Sequence, residues 1–227
     1  MDLMNSKKEV LISWSGGKDS CLALYEIQQG QKYKVAALLT TITTDYDRIS
    51  MHGVRRVLLE AQAAALGIPL HPVGISKDAS NSEYELRFIE ACADYPSINS
   101  IVFGDLFLED VRQYRDNFLA QNDLHGLYPV WLRDTSEFVK KFMALGFKAI
   151  VTCTNAKVLG PTFVGRVIDE AFLSDLPPEV DPCGERGEFH TFVFDGPNFK
   201  QPVAFSKGKI VEREGFWFCD ILPDLKT

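Results

Sequence analysis

The stretch Ser13-Trp14-Ser15-Gly16-Gly17-Lys18-Asp19-Ser20 concentrates groups that can hold a polyphosphate. Paired glycines let the backbone reach positive φ and approach a ligand with no Cβ in between. Lys18 brings a mobile positive charge, and Ser15 and Ser20 bring hydroxyl donors. Asp19 can cap a helix or hold a cation such as Mg2+. Just before, Val10-Leu11-Ile12 reads as a short buried strand; just after, Cys21 to Ile27 carries apolar residues at helical spacing. The amides that open such a helix lack partners, and the helix dipole favours an anion there. The stretch is therefore a phosphate cradle. It is not a Walker A loop, which needs four residues between its first Gly and the Gly-Lys pair. It is not the dinucleotide fingerprint, whose second glycine has no counterpart here. A plain Gly-Gly turn with an aspartate cap would account for part of it. All six residues from Ser15 to Ser20 together, between a strand and a helix, point to the cradle.

The second dense stretch runs from Asp181 to Phe192 and holds Glu185, Glu188, His190 and Thr191 among Gly184 and Gly187. A flexible loop entering a strand can turn Glu185, Glu188 and His190 toward one cavity, and in a strand Glu188 and His190 share a face by period two. Such carboxylates could hold Mg2+, bind an ammonium, or act as general base toward an attacking amine. An exposed turn with surface acids is the alternative, and the density of Gly, Glu, His and Thr weighs against it. Cys183 has no base placed for it by the sequence and is not read as a nucleophile. Arg112 and Arg115 could bind a carboxylate or phosphate, although ion pairs along a helix face are the commoner use of such residues. His71 and His125 receive no role.

These residues need a frame. The chain has 227 residues, 46% hydrophobic and 24% charged, which suits one large domain or two small ones with an ample core. No run of eighteen apolar residues occurs, and Met1 to Glu9 lacks the apolar region of a signal peptide, so a cytoplasmic protein is expected. Five scattered cysteines form no Cys-x-x-Cys pair, so neither a zinc site nor a redox pair is written here. A net charge of −7 gives little general attraction to nucleic acid.

Strands are expected at Tyr33–Ile42, Ile68–Val73 and Ser100–Asp105, alternating with helices at Val54–Leu66, Glu83–Cys92 and Leu108–Leu119. That alternation predicts an α/β fold with a Rossmann-like, doubly wound parallel sheet over residues 1–127. Ligands of such sheets sit beyond the carboxyl ends of the strands. Thr40, His52, Gly104 and Asp105 then fall on the same rim as the glycine loop, although Asp105 could equally cap the next helix and His52 could be a surface residue. Residues 128–227 read as a smaller α+β unit: a strand at Tyr128–Trp131, a helix from Thr135 to Leu145, a strand at Phe147–Thr152, and a helix at Val164–Leu173. Strands follow at Phe189–Phe194, Pro202–Phe205, Lys209–Arg213 and Phe216–Leu222, with a turn at Ser206-Lys207-Gly208.

Ser-Gly-Gly-Lys-Asp-Ser resembles the pyrophosphate loop of ATP pyrophosphatases, which split ATP to AMP and pyrophosphate. Gly104-Asp105, Trp131-Leu132-Arg133-Asp134, Leu145-Gly146-Phe147 and Gly184-Glu185-Arg186-Gly187-Glu188-Phe189-His190-Thr191-Phe192 extend the likeness. Together they resemble the diphthine–ammonia ligase family of ATP pyrophosphatases, from about Val10 to Asp195. The resemblance implies an adenine nucleotide alpha hydrolase-like domain closed by a smaller C-terminal one. It also implies ATP with Mg2+, adenylation of a carboxylate, and attack by ammonia, the acceptor being diphthine on elongation factor two. On this reading Lys18, Asp19, Glu185 and Glu188 are catalytic, with Asp19 touching Mg2+ through ATP. The nucleotide is expected at Ser13, Ser15, Gly16, Gly17, Lys18, Asp19, Ser20, Thr40, His52, Gly104 and Asp105. The acceptor is expected at Arg133, Glu185, Glu188, His190 and Thr191. No membrane partner is implied, and a homodimer built through the C-terminal strands is left open. The rival readings are an ATP pyrophosphatase acting on another small molecule or on RNA, and a non-catalytic nucleotide sensor.

Overall fold

The computed structural model describes residues 7–224, so the first six residues of the polar start read above lie outside the described residues. Strand β1 (Lys8–Ser13) buries Val10, Leu11 and Ile12 completely. By period two, Val10 and Ile12 face one side of the sheet and Leu11 the other. Accordingly, Val10 and Ile12 pack with Leu22, Phe138 and Val193, whereas Leu11 packs with Phe88, Ile101 and Phe118. A strand covered on both faces has no polar side, which explains the unbroken apolar run.

Parallel neighbours flank β1: β2 (Tyr33–Thr43) on one side and β5 (Ser100–Val102) on the other. Beyond them lie β4 (Leu70–Ile75), parallel to β2, and β6 (His125–Leu127), parallel to β5. A two-residue strand, β3 (Arg48–Ile49), pairs antiparallel with the end of β2. The order therefore reverses at β1, and the crevice between the ends of β1 and β5 is the topological switch point where such sheets bind ligands. The connecting helices are α1 (Lys18–Gln29), α2 (Arg56–Leu66), α3 (Asn81–Ala93) and α4 (Glu109–Ala120). The chain continues through α5 (Thr135–Ala144), β7 (Lys148–Asn155), α6 (Glu170–Asp175), β8 (Phe189–Asp195), β9 (Phe205–Arg213) and β10 (Phe216–Pro223). The last strands form an antiparallel sheet in the order β8-β7-β10-β9. The α/β class expected from the sequence is the class observed. No helix among the described residues is long and apolar enough to cross a membrane.

Three local expectations are corrected. Tyr128–Trp131 is a turn, closed by Trp131 N–H donating to the Tyr128 carbonyl at 3.2 Å; the strand lies just before it, set by pairing of His125–Leu127 with β5. Val164–Ile168 is not helical. Gly165 has φ +81°, and the segment runs beside the start of β7, with Gly165 N–H to Val151 O at 2.7 Å and Ile168 N–H to Ala149 O at 2.9 Å. It fills the edge that β10 leaves, since β10 pairs β7 only at Cys153–Asn155. The helix starts at Glu170, where Asp169 caps it by accepting from Phe172 N–H at 2.7 Å. Finally, Ser206-Lys207-Gly208 is no turn but lies inside β9. There a Cβ on Gly208 would sit 2.9 Å from the Asp220 carbonyl, opposite a register shift in β10. This glycine marks a bulge with close backbone approach.

Candidate active site

A cavity of about 750 Å³ opens at the carboxyl ends of β1, β2 and β5. Ser13, Trp14 and Ser15 of the glycine loop line it, with Lys18, Asp19 and Ser20 at the start of α1. Gly16 has φ +71°, and its carbonyl accepts from Val193 N–H at 2.9 Å and from Gln62 Nε2 at 3.0 Å. Gly17 caps α1 without any side-chain cap bond to the helix. Its N–H donates to Ser15 Oγ at 3.2 Å, Ser15 and Ser20 hydroxyls lie 3.1 Å apart, and Ser20 Oγ donates to the Gly17 carbonyl at 3.0 Å. Lys18 N–H donates to Thr191 Oγ1 at 3.1 Å, which seats the start of β8 against the start of α1. Gly104 ends the β5 side: a Cβ there would lie 2.8 Å from Asp19 C and Ser20 N.

Lys18 is buried and bonds Asp19 at 2.8 Å. Burial works against its charge, but Asp19, Cys183 and Glu185 outweigh burial and hold the ammonium above the usual lysine range. Burial lifts the Asp19 carboxyl above its ordinary range against the pull of Lys18, and Asp105 adds to the lift. Asp105 pairs with Arg115, whose guanidinium lies 4.6 Å from the Phe103 ring centre. Glu185 enters from the loop between α6 and β8, where Gly184 and Gly187 take φ +68° and +83°. Burial first, then Asp19, push its carboxyl up to about 8, with Lys18 opposing and Asp105 adding. This is a carboxyl set to exchange a proton near neutral pH.

His52 and His190 also line the cavity, with ring centres 4.6 Å apart and planes tilted by 36°. His52 Nδ1 lies 3.2 Å from the Thr191 carbonyl, which only accepts, so Nδ1 carries the proton. Burial, against that bond and with Lys18, lowers His52 to about 4; burial, His52 and Lys18 lower His190 as well. Both rings are neutral at neutral pH.

Ser13, Ser15, Lys18, Asp19, Ser20, His52, Gly104, Asp105, Glu185, His190 and Thr191 thus meet in one cavity, as the switch-point topology requires. Five expected residues do not line it: Gly16, Gly17, Thr40, Arg133 and Glu188. Glu188 is buried and turned into its own loop, where its carboxylate accepts from Asp181 N–H at 3.0 Å and Arg186 N–H at 2.9 Å. It precedes β8, so it shares no strand face with His190; it shapes the loop that carries Glu185. Arg133 bonds Glu26 at 2.9 Å and the Pro129 carbonyl at 3.2 Å, outside the cavity. Thr40 is fully buried behind its neighbour Thr41, which does line the cavity. Gly16 and Gly17 are held beside the cavity, with the Gly16 carbonyl bonded to Val193 and Gln62 and the Gly17 N–H bonded to Ser15. Cys183 is buried, donates to the Thr135 carbonyl and is pushed up by burial, which leaves it inert.

Among the described residues no group of three or more His, Cys, Asp and Glu is arranged to hold a metal by itself. A hard cation carried in on phosphates needs fewer protein ligands. Asp19 fits that use, because its Oδ1 is buried without a partner. One contributor escaped the sequence reading. Gln62 holds the glycine loop from behind, and its only signal was a polar residue on the apolar stripe of α2. Arg115 was weighed with Arg112, yet only Arg115 reaches the cavity; Arg112 lies against the rings of Tyr128 and Trp131.

Two family descriptions match this chain: the diphthamide synthase N-terminal domain over residues 7–123 and the diphthamide synthase C-terminal domain over residues 134–222. Among individual proteins, the chain is similar to a diphthine–ammonia ligase of Schizosaccharomyces pombe, 23% identical over 227 residues, which covers 90% of this chain and 37% of that protein. It is also similar to a diphthine–ammonia ligase of Bos taurus, 22% identical over 230 residues, covering 91% and 86%. A tRNA-specific 2-thiouridylase of Serratia proteamaculans is 36% identical over 88 residues, covering 38% of this chain and 23% of that protein.

Proposed function

Because the chain belongs to the diphthamide synthase family, we propose that it is an ATP-dependent ligase that joins ammonia to a carboxylate with release of AMP and pyrophosphate. The observation that carries this reading is the meeting of a glycine phosphate loop with Lys18, Asp19 and Glu185 in one cavity at the switch point.

In the first step an oxygen of the acceptor carboxylate attacks the α-phosphorus of ATP. The bond from that phosphorus to the pyrophosphate oxygen breaks, leaving an acyl-adenylate. Negative charge grows on the departing pyrophosphate, and Lys18 with the loop backbone opposes it from a buried position. Asp19 Oδ1 is the atom offered to a Mg2+ bound to the nucleotide, and that ion supplies further charge neutralisation when present. In the second step the ammonia nitrogen attacks the acyl carbon. Glu185 accepts the proton that nitrogen sheds, the carbonyl re-forms, and AMP leaves with the electrons of the C–O bond. The neutral His52–His190 wall holds no competing charge against Lys18.

Diphthine on elongation factor two is the proposed acceptor, by analogy with the named relatives, and the cytoplasm is the proposed location. The test is to incubate the protein with Mg-ATP, ammonium and elongation factor two bearing diphthine, and to measure AMP, pyrophosphate and new amide together. All three are expected to appear in equal amounts and to need the factor. ATP binding without AMP would overturn the ligase reading. AMP formation that needs tRNA instead would move the protein to the RNA-acting branch, which the charge of −7 disfavours.

A further inference from the structure

The buried residues of α2 are Leu58, Leu59, Gln62, Ala63, Ala65 and Leu66, so one amide stands in an apolar stripe. Burying an amide is costly unless its hydrogen bonds are made. Here they are. Gln62 Oε1 accepts from Trp14 Nε1 at 2.8 Å, and Nε2 donates to the Gly16 carbonyl at 3.0 Å and the Val193 carbonyl at 2.6 Å. An indole N–H only donates and a carbonyl only accepts, so the amide has one orientation.

We propose that Gln62 is the positioning residue that holds the Gly16–Gly17 peptide, and through it the cavity-lining Ser15 hydroxyl, in place and locks them to β8. This rests on reading the glycine loop as the element that holds the nucleotide's phosphates. A peptide unit is planar and trans, so fixing the Gly16 carbonyl fixes the Gly17 N–H on the opposite side, where it donates to the Ser15 hydroxyl at 3.2 Å. Val193 N–H holds the same carbonyl, and Gln62 holds the carbonyl of Val193, so the three groups form a closed set. The fit is tight: a Cβ on Gly16 would lie 2.7 Å from Leu59 Cδ2 and 2.8 Å from Gln62 Oε1. Two residues before Val193, Thr191 receives the Lys18 N–H, and the Glu185 loop leads into the same strand. One side chain therefore joins the phosphate side of the cavity to the Glu185 side. Donors aimed before charge develops need no reorganisation when it does, so the effect belongs to the chemical step more than to nucleotide binding.

Gln62→Met keeps the length and removes both donors; Gln62→Glu keeps the shape and turns an acceptor toward two carbonyls. For folded variants, kcat for AMP formation is expected to fall by about 10- to 100-fold while KM for ATP moves by less than about threefold. Gln62→Glu should recover part of its kcat as the pH is lowered, because a protonated carboxyl again donates one hydrogen bond; neither the unaltered protein nor Gln62→Met should show that limb. Wild-type kcat in both variants, or losses that merely track the unfolded fraction in melting curves, would overturn the proposal. If Gln62→Met does not fold, the acid recovery of Gln62→Glu decides. If the unaltered protein makes no AMP, the ligase reading fails alone. The positioning role is then read from calorimetric binding of inorganic pyrophosphate, expected to weaken about tenfold in Gln62→Glu, and unchanged affinity would sink it.

Discussion

Glu185 illustrates what one residue contributes and costs. Its carboxyl titrates near 8 in the folded protein because burial and Asp19 disfavour its charge. In the proposed role of general base it works only when unprotonated, so the amide-forming rate should climb with pH and level off above about 8. Glu185→Gln should lose about 10²- to 10⁴-fold in that rate together with the pH dependence. The sign for stability is the reverse. A folded pKa above the unfolded value means the folded state binds more protons, so stability falls as pH rises between the two values. Melting curves should therefore show Glu185→Gln gaining on the unaltered protein from pH about 5 upward; parallel curves would refute this. Lys18→Ala should cost about 10²- to 10³-fold in pyrophosphate release, measured with saturating Mg-ATP. Residue types at these positions were readable from the sequence. The division between Glu185 and Glu188 was not: both are glutamates in a glycine-rich loop, and only the folded loop shows that Glu188 spends its oxygens on the Asp181 and Arg186 amides.

At the scale of elements, the site depends on how closely β5 and β8 approach the start of α1. Gly104 makes the first approach possible, since any Cβ would meet Asp19 and Ser20 backbone at 2.8 Å. Backbone cannot swing aside as a side chain does. Gly104→Ala should cost about 1–3 kcal/mol in urea unfolding and weaken ATP binding; a variant of unchanged stability would show that β5 shifts freely. Most element types were legible from hydrophobic period, including β1 and α1 around the glycine loop. The failures share one cause. Val164–Ile168 has apolar residues compatible with a helix, but β7 offers unpaired backbone groups there, and Gly165 with its positive φ bends the chain into that place. Long-range hydrogen bonding overrode local spacing.

In the whole molecule, the two sheets are joined by a common core. Val10, Ile12 and Leu22 pack in the same cluster as Phe142, Val151 and Val193. The protein should therefore unfold in a single transition, whether followed by Trp fluorescence or by far-ultraviolet dichroism. Two separated transitions would contradict the shared core. A polar tie crosses the molecule as well: Asp220 on β10 accepts from Arg48 at 2.9 Å and from Arg55 at 2.7 Å. Burial works to raise the Asp220 carboxyl, but Arg55 and Arg48 outweigh it and hold it below its ordinary range. The sign check gives stability that is present above the unfolded pKa of about 3.9 and is lost as pH falls through the lower folded value. Asp220→Asn should thus lower Tm by about 2–4 °C near neutral pH. The difference should vanish in acid below the range where Asp220 titrates.

The sequence alone determined the glycine loop proposed to hold phosphates, because Gly, Lys, Asp and Ser stand there within six consecutive residues, and neighbouring residues need no fold to meet. It also determined the α/β class, because burial on both faces or one face of an element is written as period. Only the tertiary structure decided which distant groups join that loop. Gln62, Arg115 and Glu185 come from separate elements, Arg133 and Glu188 are spent elsewhere, and Thr40 is buried away from the cavity. The physical reason is that a side chain's partners are set by where chain segments far apart in sequence pack and which polar groups they must satisfy, and no local spacing encodes that.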